Sequence, residues 1–162
     1  MNTEFDEREA LEPAILVYWI GVVALISVAL AAGLLSLYMI ADVLPLPVVP
    51  IVPVVVLGIG ALYSWLRYKS WSYQLQEDGL HLTRGVIVQV DTLVPYIRIQ
   101  HIDTQRGPVD RILGLSSTVV YTAGSRGADV LIPGLKKERA IKLQDQLRRI
   151  IKEEEYRLLD AV

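Results

Sequence analysis

His101 and Asp103 stand two residues apart in the stretch VPYIRIQHIDTQRGPVDRILGL (94–115), so on a strand both side chains would share a face. With Ser125 brought near by the fold they would supply a nucleophile, a base and an orienting carboxylate, the set used for acyl transfer by a membrane hydrolase. Such a serine needs a strained turn with oxyanion donors, and Gly124-Ser125-Arg126-Gly127 lacks the spacing of a nucleophile elbow. A histidine satisfied by hydrogen bonds where a strand bends is the preferred reading. His81, His101 and Asp103 could be taken as metal ligands, but their spacing matches no known ligand pattern. No catalytic, metal-ligating or cofactor-binding residue is therefore assigned, and no cofactor or small-molecule substrate is inferred.

The arginines admit two readings. Arg98, Arg106, Arg111 and Arg126 could form a patch for anionic headgroups or for a partner. Alternatively they pair with Asp103, Asp110 and Asp129 and fix turns, which is the favoured role. No P-loop is present, and GIGALY (58–63) lacks the third glycine of a dinucleotide fingerprint. Nucleic-acid binding would call for a stronger basic bias with exposed aromatics.

The elements that position these residues begin with two apolar blocks. The chain is 52% hydrophobic, and residues 14–40 and 48–66 contain no Asp, Glu, Lys, Arg or His. At the helical rise of 1.5 Å per residue these runs reach roughly 40 and 28 Å, against a hydrocarbon core of about 30 Å. A secretory signal is disfavoured because the preceding MNTEFDEREALEP is acidic and the run is too long. The short connection ADVLPLP (41–47) implies a transmembrane hairpin. Arg8, Arg67 and Lys69 flank its outer ends and the loop carries no Lys or Arg, so residues 1–13 and both termini are expected in the cytoplasm. Ala29/Gly33 and Gly60/Ser64 have the spacing that allows close helix contact. The absence of cysteine fits a reducing compartment and excludes disulfides, Cys-zinc sites and thiol catalysis. Net charge is −5 over residues 1–66 and +6 over residues 67–152, which places a basic domain beside an anionic leaflet.

From residue 70 to 159 the pattern changes to alternation. WSYQLQ (71–76), LHLTR (80–84) and VIVQV (86–90) read as a meander of strands, turning at Asp78-Gly79 and Arg84-Gly85. Ile97 and Ile99 share one parity and Ile102 has the other, so a bulge is expected near Gln100-His101. Gly107-Pro108 opens a helical turn that Gly114 closes, and residues 116–122 and 128–134 read as two more strands. From about Lys136 to Leu159 a helix places Ala140, Leu143, Leu147 and Ile150/Ile151 on one stripe. The fold class is thus membrane-anchored α+β: a two-helix hairpin, then a small β barrel or sandwich of six or seven strands closed by a C-terminal helix.

VPYIRIQHIDTQRGPVDRILGLSSTVVYTAGS followed by IPGL resembles the signature of the membrane-flanked bacterial pleckstrin-homology-like (PH-like) family of the YdbS type. The positions that carry the resemblance include Pro95, Arg98, Gln100, His101, Asp103, Gly107, Arg111, Gly114, Gly124, Pro133 and Gly134. The resemblance implies a split barrel of seven antiparallel strands capped by a helix, no enzyme activity and no established ligand residues. It further implies self-association, or pairing with a larger membrane protein that carries PH-like domains. On this reading the motif residues are structural, and Arg98, Arg106 and Arg126 remain as contacts for a partner or lipid.

Overall fold

The computed structural model describes residues 8–41, 45–123 and 130–160. They form two compact units, a helical hairpin (16–68) and a β-rich unit built from residues up to 15 together with those from 69 onward. The hairpin consists of α1 (Pro13–Ala41) and α2 (Val48–Ser70), of 29 and 23 residues. Uncharged aliphatic side chains cover every face, and Val17, Leu25, Val28, Met39, Ile40 and Ile59 are all exposed. Helices apolar all round belong in hydrocarbon. Pro50 lies in the first turn of α2, whereas Pro53 lies inside the helix and removes the bond to the carbonyl four residues back.

The two helices meet where α2 has no side chain. A Cβ on Gly60 would run into the side chain of Val23, while one on Gly33 would meet nothing within 4 Å. Of the two small-residue pairs, only Gly60/Ser64 therefore serves a contact. Ser64 is buried and donates to the Gly60 carbonyl at 2.8 Å, as Ser27 does to Val23 at 2.9 Å, so neither hydroxyl is stranded. Near the end of α2, the Arg67 guanidinium lies 4.3 Å from the centroid of the Trp19 ring, a cation–π contact.

The second unit contains seven antiparallel strands in two sheets. The first sheet has the order β1 (Glu9–Ala10), β2 (Ser72–Gln76), β3 (Gly79–Arg84), β4 (Val90–Val94). The second has the order β5 (Ile99–Gln105), β6 (Leu115–Thr122), β7 (Val130–Lys136). Between β5 and β6 lies the short α3 (Pro108–Leu113), and α4 (Lys137–Asp160) follows β7. Leu80, Leu82, Val120, Ile132 and Leu135 are sealed from solvent together with Ala140, Leu143 and Leu147 of α4. The predicted stripe of α4 is thus the face that closes the barrel. Gln144 ties it down further, donating to the Ile102 carbonyl at 2.7 Å.

Four local expectations need correction. The first turn is Glu77-Asp78, not Asp78-Gly79, because Gly79 pairs with Gln76 and lies so close to the Val94 carbonyl that a side chain would not fit. The third strand of the meander runs over 90–94 rather than 86–90. Gly85, at φ +113° and packed against the Val88 carbonyl, turns the chain into a wider loop in which Ile87 is 91% exposed. The alternation in WSYQLQ holds only in part, since Gln74 is buried and Leu75 is half-exposed. Finally, β1 lies in a segment whose sequence carries no strand signal: Glu9 and Ala10 pair with Tyr73 and Ser72.

Candidate interaction surface

The stretch 94–115 makes one bend after another, and its side chains sort accordingly. Pro95 precedes a 3₁₀ turn over Tyr96–Arg98. Tyr96 is buried and donates to the Gln76 carbonyl at 2.7 Å, and burial pushes its phenol up to about 12. Arg98 points to solvent, and its carbonyl accepts from the Ala123 amide at 2.8 Å. The register then slips between Ile99 and His101, leaving Gln100 as the extra, exposed residue. That bulge lets Ile99 and Ile102 both reach the core despite their opposite parity.

Beyond the bulge, His101, Asp103 and Gln105 face outward opposite Tyr121, Val119 and Ser117. The His101 ring stacks on Tyr121 with centroids 4.0 Å apart and planes 16° from parallel. Leu131 of β7 pairs with the buried Val119 and is itself 43% exposed, so the outer face of the second sheet presents an aromatic pair, one aliphatic side chain and one carboxylate. Ser125 and Arg126, with Gly124 and Asp129, lie outside the described residues.

At the far end of β5, Arg106 donates through Nε to the Leu115 carbonyl at 3.0 Å, and the Gly107 amide donates to Asp110 Oδ2 at 2.9 Å. Gly114 closes α3 in the left-handed conformation, and the Arg111 side chain is exposed. Arg106 and Asp110 thus bond to backbone rather than to an expected charged partner. Among the described residues no ion pair joins Arg98, Arg106 or Arg111 to Asp103 or Asp110. Within the short turn the Asp110 carboxylate is already placed to accept from the Gly107 amide, so it has a partner without a long arginine reaching it.

Pro133 is half-buried in β7, and Gly134 is buried beside it at φ +65°. A Cβ on Gly134 would lie 2.6 Å from that of Ile15. This contact belongs to a group that no sequence pattern announces. The Glu12 amide donates to the Gly134 carbonyl at 2.9 Å, Lys136 pairs with Glu12 at 3.4 Å, and Leu11 and Ile15 are buried. Glu9 accepts from the Tyr73 hydroxyl and from Arg139, at 2.8 Å from Nε and 2.7 Å from Nη2. Burial, aided by the Glu9 carboxylate, raises the Tyr73 phenol; burial works to lower Arg139, but Glu9 and Tyr73 together hold it above its ordinary value. The only available signal was an acidic residue at 9 and a basic one at 139, which no spacing rule connects.

A shallow groove of about 410 Å³ runs over the outside of the first sheet, lined among others by Gln74, Gln76, His81, Thr83, Asp91 and Leu93. His81 bonds to the Asp78 carboxylate at 2.9 Å, which holds that carboxyl below its usual range. His81 lies on the first sheet and His101 and Asp103 on the second, and no cluster of three potential metal ligands exists among the described residues. The groove offers amides and hydroxyls for hydrogen bonding.

A family model described as "Bacterial PH domain" matches residues 15–151. The chain belongs to the bacterial PH domain family. Two curated relatives of this PH-domain chain come from Bacillus subtilis (strain 168). The UPF0699 transmembrane protein YdbS is 32% identical over 85 residues, which cover 52% of this chain and 52% of YdbS. The UPF0699 transmembrane protein YdbT is 23% identical over 96 residues, 55% of this chain and 20% of YdbT. The chain therefore aligns with about half of one relative and a fifth of the other. No solved structure matches it significantly. The family, the relatives and the two apolar helices identify a membrane-associated PH-like protein.

Proposed function

We propose that this chain is a non-enzymatic, membrane-anchored interaction module of the bacterial cytoplasmic membrane. Its hairpin crosses the bilayer twice with both termini in the cytoplasm, and its barrel binds a larger PH-like membrane protein or a second copy. The pairing of Glu9-Ala10 with Ser72-Tyr73 supports the topology, since two helices that leave and return to one sheet must cross an even number of times. Arg8, Arg67 and Lys69 favour the cytoplasmic side for that sheet.

The observation that carries the interaction reading is the outer face of the second sheet. The polar residues of the motif do not converge on a cleft. They flank the His101–Tyr121 stack and the exposed Leu131, a mixture of aromatic, aliphatic and polar groups suited to a protein surface. YdbT supports the choice of partner: the same stretch fills 55% of this chain and 20% of YdbT, so YdbT is more than twice as long. Headgroup binding through Arg98, Arg106 and Arg126 is the alternative. It is disfavoured because Arg106 is engaged with Leu115 and Arg98 lies at the end of the barrel away from the strand ends that lead to the hairpin.

The test is affinity capture of the full chain from membranes in mild detergent, with mass spectrometry of what co-purifies. A stable assembly should survive Arg98→Glu and Arg126→Glu and be lost with Tyr121→Ala or Leu131→Asp. Loss on arginine reversal alone would favour the lipid reading, and recovery of the wild-type chain alone and monomeric would overturn the interaction reading.

A further inference from the structure

Strand register sorts the barrel into two ends. β1 finishes at Ala10 opposite Ser72, and Ser72 pairs with Thr83, so the β3–β4 loop (85–89) lies at the end from which the chain runs into α1 and returns from α2. In the second sheet, Leu115 pairs with Lys136 and Gln105 with Ser117, which places α3 where β7 finishes. That point is joined to the N-terminal segment through Glu12 and Gly134. The β3–β4 loop and α3 therefore share the anchor-bearing end. The Glu77-Asp78 turn and the 3₁₀ turn at 96–98 occupy the opposite end, linked by Tyr96 and Gln76.

The anchor-bearing end carries large apolar side chains that the barrel does not use. Ile87 is 91% exposed, Val88 71% and Ile112 83%. The five-residue loop that Gly85 opens carries the first two, and the six-residue α3 carries the third. Arg84, Arg111 and Lys137 belong to the same end, at the finish of β3, on α3 and at the start of α4. Apolar tips flanked by cations suit the boundary between anionic headgroups and acyl chains, where the apolar groups leave water and the cations meet phosphate.

We propose that this end of the barrel docks on the bilayer, inserting Ile87 and Val88 at one point and Ile112 at another. The occupant is the lipid interface itself, because the chain passes from this end directly into two helices apolar enough to cross it. A hairpin anchor holds a domain near the membrane without fixing its orientation. Two further points of contact fix it, and they turn the opposite end of the barrel toward the cytoplasm. The proposal rests on the reading of the hairpin as a membrane anchor.

The absence of native cysteine permits a direct test on the full chain. Single substitutions Ile87→Cys and Ile112→Cys are labelled with an environment-sensitive fluorophore and reconstituted in phosphatidylcholine–phosphatidylglycerol vesicles with brominated acyl chains. Val54→Cys, on the exposed face of α2, reports the anchor, and Ile97→Cys, an isoleucine 70% exposed at the opposite end, reports a site facing water. Labels at 54, 87 and 112 should lose intensity to the brominated chains and resist iodide, while the label at 97 does the reverse. Iodide quenching at 87 and 112 equal to that at 97, with 54 still lipid-quenched, would overturn the docking but leave the anchor. Shielding of 87 and 112 from both quenchers would mean a protein cover and would also overturn it. Failure of lipid quenching at 54 would remove the anchor and the docking together.

Discussion

In the hairpin, Leu25, Ile26 and Val28 are each more than half exposed, whereas in the barrel Leu80, Ile132 and Leu147 have no exposed surface. The same residue types are therefore under different constraints. In the hairpin an aliphatic side chain needs only to be apolar, because its neighbour is interchangeable acyl chain. In the barrel it must also fit its position, because its neighbours are fixed. The largest test of this difference is Leu80→Ala against Leu25→Ala. The first should cost about 2–5 kcal/mol and the second less than about 0.5 kcal/mol. Hydrogen exchange along β2 and β3 of the full chain in detergent should reveal the former and be blind to the latter.

Alkaline pH should separate the two regions next. Tyr73 and Tyr96 are both barrel residues whose folded pKa lies above the ordinary value of 10, Tyr96 at about 12. For a group raised in this way, the neutral form is the one the fold holds. Its contribution is present below about pH 10 and is lost as pH rises through the folded value. Between pH 10 and 12 the barrel should lose its fixed packing while the hairpin remains helical. Circular dichroism combined with tyrosinate absorbance would show both, and Tyr96→Phe should blunt the transition.

The same contrast explains which features were legible in the sequence. The hairpin was plain from composition alone, since no Asp, Glu, Lys, Arg or His interrupts either block. The bulge at Gln100 followed from the parity of Ile99 and Ile102, and the stripe of α4 followed from its spacing, because periodicity records which face is buried. Periodicity misled at 86–90, where Val88 is exposed, Val86 only half-buried, and the strand begins only at Val90. It was silent about β1, a two-residue strand recruited across the whole hairpin by contacts at Tyr73, Gly134 and Arg139. Of the candidate surface, the outward parity of His101 and Asp103 could be read, but the Tyr121 stack and the neighbouring Leu131 depend on strand pairing.

Within the hairpin, one position should behave like the barrel. Gly60 abuts Val23, so Gly60→Leu should push the helices apart at a cost of about 1–3 kcal/mol. Gly33→Leu, which has free space, should be close to neutral. Crosslinking yield between α1 and α2 in the full chain would rank them, and equal effects would mean that the hairpin has no specified contact.

The smallest effects should lie where the N-terminal segment meets the barrel. Glu9 serves Tyr73 and Arg139 from a setting about one-third exposed, so Glu9→Gln should cost only about 1–2 kcal/mol after solvent screening. Glu12→Gln should cost less than about 1 kcal/mol, since its partner Lys136 is mostly in solvent and the Glu12 backbone amide still reaches Gly134. Both losses should appear as faster exchange in β2 and at the start of α4, with the hairpin unaffected. A fragment that begins at residue 70 goes further, because it removes β1 together with Leu11 and Ile15, both buried against the domain. It should be markedly less protected in β2 than the full chain, and a peptide of residues 1–15 added in trans should restore part of that protection. If the fragment alone were as protected as the full chain, β1 would be an ornament on the first sheet; if the peptide restores it, the barrel is a fold interrupted by its own membrane anchor.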